Sequence, residues 1–261
     1  MGNVRTIVRV QGRVEETPST VTLRFPYAPA AAPGQFVMVW FPGEDELPMS
    51  LSYTDGSSKG ITVKAMGETS RNVQRIETGA RLGIRGPYGN RFDLSPRRIL
   101  IVAGGSGAAV LAPGAERAIE GGAEVTVALG ATTETELLFR ERFATMGAEV
   151  EIATDDGSAG TRGYVTVAVE QLLATHTFDA VWSCGPEIMM RKVALLARAR
   201  GVASYGSVER QMKCALGMCD ACALGPFHVC VEGPVFPMEK LLELPEFGAF
   251  KRDSAGRRVR F

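Results

Sequence analysis

An antiparallel β-barrel, then a doubly wound parallel-sheet α/β domain, then a small cysteine-bearing C-terminal segment is the architecture this sequence predicts. Three observations predict it. Short β-branched and aromatic runs, separated by Pro and Gly clusters, fill residues 1 to about 95. From Arg98 onward, fully apolar strands alternate with helix-like segments. Four of the five cysteines then fall within residues 214–230.

The first part contains strand-like runs at residues 6–10, 20–25, 35–41 and 60–65, with an extended segment at 47–52. In the second part the apolar run 99–103 leads into glycines and a helix. Strands at 124–130, 149–154 and 179–184 follow, with helices expected at 134–146, 163–175 and 187–200. The resulting division is 1–96, 97–204 and 205–261. Ligands of such a sheet bind where the loops at the carboxyl ends of its parallel strands converge, here after Val102, Leu129, Ala153 and Ser183.

Composition narrows the partners. With 29 basic and 29 acidic residues the net charge is zero, which gives neither nucleic acid nor an anionic membrane an electrostatic reason to bind. The longest uncharged stretch, 99–115, is broken by four glycines and Pro113 and is shorter than the roughly 20 apolar residues of a membrane span. Met1-Gly2-Asn3-Val4-Arg5 lacks the regions of a signal peptide. Together with metal-spaced cysteines, this predicts a cytoplasmic protein.

The cysteines run Cys214-x4-Cys219-x2-Cys222-x7-Cys230, the plant-type spacing for a 2Fe–2S cluster. The x4 loop must wrap an inorganic core, so its backbone N–H groups are expected to point at the bridging sulfides, with Gly217 supplying freedom for the turn. Zinc is the alternative. Structural zinc sites usually present two short knuckles, and only Cys219–Cys222 has that spacing here. His176 and His228 fit no catalytic arrangement, and four cysteines are preferred over a His-containing ligand set.

Three loops fall on the predicted carboxyl edge. Ala103-Gly104-Gly105-Ser106-Gly107 lies between a strand and a helix, where Gly104, Gly105 and Gly107 allow a pyrophosphate to approach the backbone. Asp155, opening Asp155-Asp156-Gly157-Ser158, reads as a solvated turn or as a rim of the same cleft. Cys184-Gly185-Pro186-Glu187 follows another apolar strand; Cys184, Gly185 and Pro186 read as a packed turn or as the lining of a nicotinamide pocket. In the barrel, Pro48, Met49, Ser50 and Leu51 form an extended segment whose Ser50 hydroxyl suits a flavin ring nitrogen. Gly67, Thr69 and Ser70 suit a phosphate, and Gly86-Pro87-Tyr88-Gly89 reads as a turn closing the barrel. Taken singly, each of these barrel segments is also an ordinary loop.

In this order the segments resemble the ferredoxin–NAD(P) reductase superfamily over nearly the whole chain. The ending is narrower. Residues 207–222, with Val229-Cys230-Val231-Glu232-Gly233-Pro234-Val235-Phe236, resemble the electron-transfer subunits of NAD-dependent dihydroorotate dehydrogenase, whose mark is CGxGxCxxC followed by VCxDGPVF. The resemblance implies FAD in the barrel, NAD on the sheet and a 2Fe–2S cluster on Cys214, Cys219, Cys222 and Cys230. It also implies a partner, the FMN-containing catalytic subunit, in a heterotetramer serving pyrimidine biosynthesis. No acid–base pair is required. Leu47 stands where relatives carry arginine, so Lys64 or Arg71 is expected to meet the FAD phosphate. Ala103 and Val110 replace the usual glycine and proline of the glycine loop. The neutral-to-acidic stretch after the second parallel strand favours NAD over NADP. Phe261 is expected in a partner-bound or disordered tail. Two alternatives carry the same residues: a flavin and iron–sulfur subunit of a ferredoxin:NAD(P) or sulfide-type reductase, and a zinc-stabilised binding or regulatory module.

Overall fold

The computed structural model describes residues 4–253 and 256–260. Phe261, and the expectation attached to it, lie outside the described residues.

The first seven strands are β1 (Thr6–Arg9), β2 (Gly12–Thr17), β3 (Thr20–Pro26), β4 (Phe36–Trp40), β5 (Glu46–Tyr53), β6 (Ser58–Lys64) and, after helix α1 (Glu68–Gln74), β7 (Arg81–Tyr88). They form one antiparallel sheet in the order β1-β7-β4-β5-β6-β3-β2. Alternating side chains of these strands, among them Leu23, Phe25, Val37, Val39, Ile61 and Ile84, fill its inner face. The register shifts at Glu15/Thr17, Phe36/Met38 and Leu51/Tyr53. Such bulges increase local twist and curl the sheet into a half-barrel with β1 and β2 as its edges.

Gly86-Pro87-Tyr88 is the end of β7 and not the turn expected there. The chain turns at Gly89, where a Cβ would lie 2.5 Å from Pro234 and 2.8 Å from the Gly233 carbonyl. Only glycine allows the C-terminal segment to approach this closely.

The second part is β8 (Arg98–Gly104), α2 (Gly107–Glu120), β9 (Glu124–Ala131), a 3-10 turn (Glu134–Glu136), α3 (Arg140–Thr145), β10 (Glu149–Thr154), β11 (Thr161–Arg162), α4 (Val165–Thr175), β12 (Ala180–Cys184), α5 (Glu187–Ala199) and β13 (Ala203–Ser207). The parallel strands run in the order β11-β10-β9-β8-β12-β13. The sheet winds outward in both directions from β8, so the topological switch point lies between β8 and β12. There the following loops diverge and leave a crevice. Central strands are buried on both faces: all of Ile99–Ala103 is inaccessible to solvent.

Residues 134–146 are not the single expected helix. Leu137, Leu138 and Phe139 interrupt them and are buried in the core, and Phe139 takes φ 63°. Burying three consecutive apolar side chains requires the chain to leave the helical path.

The C-terminal part holds β14 (Ala223–Leu224), β15 (Phe227–His228), β16 (Val235–Pro237), α6 (Met238–Leu242), β17 (Phe250–Arg252) and β18 (Arg258–Arg260). β16 joins the second sheet as an antiparallel edge strand on β13, with Gly206 opposite Phe236. The segment's core is also shared: Cys222, Cys230, Val229, Phe236 and Met238 pack with Phe36 and Met38 of β4 and with Met190 and Ala194 of α5. The cysteine segment is therefore wedged into the angle between the two larger sheets.

Candidate functional site

The crevice at the switch point is built from two glycine turns in backbone contact. Gly107 opens α2 against the end of β12, where a Cβ would lie 2.0 Å from the Cys184 carbonyl. Gly105, at φ 54°, sends its N–H to the Gly130 carbonyl at 2.9 Å, and a Cβ on it would meet no protein atom within 4 Å. That leaves the backbone of the loop open to a ligand at the start of a 14-residue helix. Cys184 is buried, and burial pushes its thiol up to about 12. It is held as a neutral packed group, not as a nucleophile. Pro186 precedes the first residue of α5. Gly104, Gly105 and Gly107 are thereby brought together with Cys184, Gly185 and Pro186.

Asp155 is placed differently. It lies exposed beyond β10, two strands from β8, with its N–H bonded to the Ala131 carbonyl at 3.0 Å. The neighbouring Ser158 hydroxyl accepts the Glu134 N–H at 2.8 Å, which ties this loop to the turn after β9. The two loops form one rim along the carboxyl edge.

In the half-barrel, Pro48, Met49, Ser50 and Leu51 lie on β5 opposite Met38, Val37, Phe36 and Ile61 respectively. Pro48, Met49 and Ser50 are half-buried and Leu51 is buried. β5 packs on α2, and Arg142 of α3 donates to the Ser52 carbonyl at 2.8 Å while its Nε and Nη2 grip Glu116 at 3.0 Å. The flavin-type strand is thus held against the helix that opens at the glycine loop. Thr69 and Ser70 sit in the first turn of α1. The Thr69 hydroxyl donates to Glu44 at 3.1 Å, and Ser70 Oγ accepts the Gly67 N–H at 2.8 Å and caps its own helix. Gly67 is exposed with open space where a Cβ would stand. Lys64, at the end of β6, is paired with Glu136 at 3.3 Å and so bridges the half-barrel to the turn after β9.

The N–H groups of the cysteine loop turn inward onto cysteine sulfur. Leu216 and Met218 direct their N–H groups at Cys214 Sγ at 3.3 and 3.4 Å, and Gly217 directs its own at Cys230 Sγ at 3.3 Å. The turn needs three residues with positive φ: Ala215 at 61°, Gly217 at 72° and Asp220 at 54°. Ala215 stands where the resembled motif has glycine. Burial pushes the Cys214 thiol up, but the Leu216 and Met218 N–H groups and Cys219 outweigh it and hold the thiol down at about 6. Burial and its bond with Cys222 push Cys230 up to about 12.

The Cys219 thiol interacts with Cys214, and Cys222 with Cys230. Among the described residues no three His, Cys, Asp or Glu side chains gather closely enough to hold a single metal ion. Four cysteines at this spacing around a loop whose N–H groups turn inward suit a two-iron core bridged by sulfide. His228 is bonded to Asp220 at 2.5 Å, and that bond raises its pKa.

Three residues outside the sequence motifs, Arg85, Glu46 and Asn90, help organise this region, with an ion pair between two motif residues, Arg210 and Glu187. Arg85 of β7 donates to the carbonyls of Cys214 at 2.9 Å and Lys213 at 3.2 Å while paired with Glu46 of β5. Asn90 donates to the carbonyls of Glu232 and Val235 and accepts the Val235 N–H at 2.9 Å. Arg210 forms a buried ion pair with Glu187 at the start of α5. No local pattern marks Arg85, Glu46 or Asn90, because each acts across a long stretch of chain.

The comparisons agree with this geometry. A family model described as the iron-sulfur cluster binding domain of dihydroorotate dehydrogenase B matches residues 209–242. The chain is 42% identical over 97% of both sequences to the probable dihydroorotate dehydrogenase B (NAD(+)) electron transfer subunit of Thermoplasma volcanium. It is 39% identical over 97% of both to that of Methanocaldococcus jannaschii, and 43% identical over 98% of both to that of Methanothermobacter thermautotrophicus. Among solved structures, a chain of the NADH-dependent reduced ferredoxin-NADP oxidoreductase superposes with TM-score 0.80 at 28% identity, covering 94% of this chain and 96% of that one. The flavohem-like FAD/NAD binding domain of Vibrio cholerae nitric oxide dioxygenase shares the fold, with TM-score 0.62 at 18% identity over 77% of this chain and 98% of that one. The cysteine loop, the switch-point crevice and the half-barrel occur together in one chain whose relatives match it over 97–98% of its length: it belongs to the family of electron-transfer subunits of NAD-dependent dihydroorotate dehydrogenase B.

Proposed function

We propose that this chain carries electrons from the FMN of a dihydroorotate dehydrogenase catalytic subunit to NAD+, in pyrimidine biosynthesis. Bound in it, a 2Fe–2S cluster supplies one-electron carriage, and FAD supplies the conversion of single electrons into a hydride for NAD+. The observation that carries this reading is the wedge itself. The cysteine loop packs against β4 beside the flavin-type strand, and that strand packs on the helix opening at the glycine loop.

In this reading residues 1–96 hold FAD, 97–204 hold NAD and 205–261 hold the cluster. Pro48, Met49, Ser50 and Leu51 orient the flavin ring through a rigid strand, while Lys64, Gly67, Thr69 and Ser70 face the FAD phosphates. Gly105 presents open backbone at the start of α2 to the NAD pyrophosphate, and Gly104 and Gly107 hold the turn that positions it. Cys184, Gly185 and Pro186 line the nicotinamide side, with Asp155 on the rim. Cys214, Cys219, Cys222 and Cys230 bind the two irons. The chain contributes position and electrostatics, with no general acid or base. None of the helices among the described residues is long and apolar enough to cross a membrane. We place the protein in the cytoplasm with its FMN-bearing partner, in a heterotetramer.

Anaerobic titration of the purified chain with NADH, followed by visible absorbance, tests the reading. Flavin and iron–sulfur bands that both bleach support it. A colourless zinc-containing protein overturns it in favour of a binding module. The likeness to the ferredoxin-NADP oxidoreductase supports one second reading, in which ferredoxin replaces the dihydroorotate-oxidising partner. Reduction of ferredoxin by the chain with NADH, and no association with an FMN-bearing dihydroorotate dehydrogenase subunit, would favour it.

A further inference from the structure

Arg85 occupies a position that none of the cofactor motifs includes. On the sheet it shares a rung with Met38 and Pro48: Met38 of β4 lies opposite Arg85 of β7 on one side and opposite Pro48 of β5 on the other. Met38 is inaccessible to solvent and packs in the same core as Cys222 and Cys230. The Arg85 guanidinium uses every N–H it has. Nε lies 2.9 Å from both Glu46 oxygens, and Nη2 donates to Glu46 Oε2 at 2.6 Å and to the Lys213 carbonyl at 3.2 Å. Nη1 donates to the Tyr88 hydroxyl at 3.1 Å and to the Cys214 carbonyl at 2.9 Å. Glu46 in turn opens β5, two residues before Pro48.

We propose that Arg85 is a positioning residue for electron exchange between flavin and cluster: it ties the loop bearing Cys214 to the strand bearing Pro48, Met49 and Ser50, and sets one positive charge beside the cluster. This rests on the functional reading above. A planar five-donor fork can hold both oxygens of a carboxylate, a hydroxyl and two carbonyls at once, more acceptors than the three donors of a lysine ammonium can serve. The charge also has an electrostatic consequence. Reduction adds one negative charge to the cluster, and a nearby cation stabilises that added charge. The side chains of Arg85 and Glu46 are only 12% and 15% exposed, so water and salt screen them weakly. Removing the cation therefore disfavours reduction. Removing Glu46 leaves Arg85 unneutralised and favours it.

The opposed signs separate this role from a merely structural one. The full chain is prepared with FAD and cluster as wild type, Arg85→Gln, Arg85→Lys and Glu46→Gln. Each is titrated potentiometrically, with the EPR signal of the reduced cluster recorded. The expected result is a lower cluster midpoint potential for R85Q and a higher one for E46Q, with the FAD midpoint moving less in both. R85K keeps a midpoint near wild type, because the charge remains, but has an altered EPR signature, because the fork is lost. Should R85Q fail to fold or to retain its cluster, E46Q and R85K decide: an unchanged or lowered midpoint in E46Q overturns the proposal. Shifts of the same sign in R85Q and E46Q, or no shift in either, also overturn it and leave the functional reading standing. A wild-type chain purified with neither flavin nor cluster overturns both.

Discussion

Arg210 and Glu187 form an ion pair that is almost wholly withdrawn from solvent, and it joins the first residue of α5, beside the proposed nicotinamide turn, to the stretch leading into Cys214. The second Glu187 oxygen accepts the Gly248 N–H at 3.0 Å, so the carboxylate also anchors the chain beyond α6. Arg210 Nη2 is buried with no hydrogen-bond partner among the described residues. The pair thus locates three segments relative to one another at an energetic cost that a hydrophobic contact would not carry.

Breaking that pair from one side is expected to be severe. Arg210→Met leaves the Glu187 carboxylate buried and uncompensated, which costs about 3–5 kcal/mol, whereas Arg210→Met with Glu187→Met recovers most of the loss. Denaturant unfolding of the single and double variants measures both. A single variant as stable as the wild type would show that the pair contributes nothing.

Gly107→Ala tests the crevice. The added methyl would sit 2.0 Å from the Cys184 carbonyl, so the glycine turn must move away from β12. NADH affinity is expected to fall by about tenfold or more, the equivalent of roughly 1.4 kcal/mol, while the cluster absorbance stays unchanged. Titration of NADH against flavin bleaching reads the affinity. Wild-type affinity would mean that the dinucleotide does not bind at this turn.

Cys222→Ser removes one of the two buried cysteines proposed as ligands. Iron content and the cluster's absorbance are expected to be lost, with flavin still bound, because the half-barrel core does not include Cys222. Metal analysis beside the visible spectrum checks this. An unaltered iron content would exclude Cys222 as a ligand.

Acid stability should report on Glu46. Burial alone would raise its carboxyl, but hydrogen bonds and charge from Arg85, and then from Arg5, outweigh burial and hold it below its ordinary value of 4.5. A carboxylate whose pKa is lower folded than unfolded adds stability that is complete above the unfolded value. That stability is lost as pH falls through the folded value. Wild type is therefore expected to exceed Glu46→Gln in thermal midpoint at neutral pH, with the gap closing below about pH 4.5. A gap that stayed constant into acid would remove the ionised carboxylate as its cause.

The nature of the parts was legible along the chain because it depends on local chemistry. Four thiols at the Cys214–Cys230 spacing prescribe a loop with inward N–H groups, and Leu216, Gly217 and Met218 supply them. Short apolar strands ending in glycines prescribe a parallel sheet with open turns, and Gly105 and Gly107 stand at its switch point. Local pattern was a poorer guide at residues 134–146, where helical periodicity gave way to the burial of Leu137, Leu138 and Phe139. Only the tertiary structure decided how the parts are joined. Arg85 meets Cys214 across 129 residues, Asn90 meets Val235 across 145, and Lys64 meets Glu136 across 72. A single polar contact over such a separation has no period and no flanking signature. Its partner is chosen by the packing of whole sheets, and that packing places the cysteine loop beside the strand of Pro48, Met49 and Ser50.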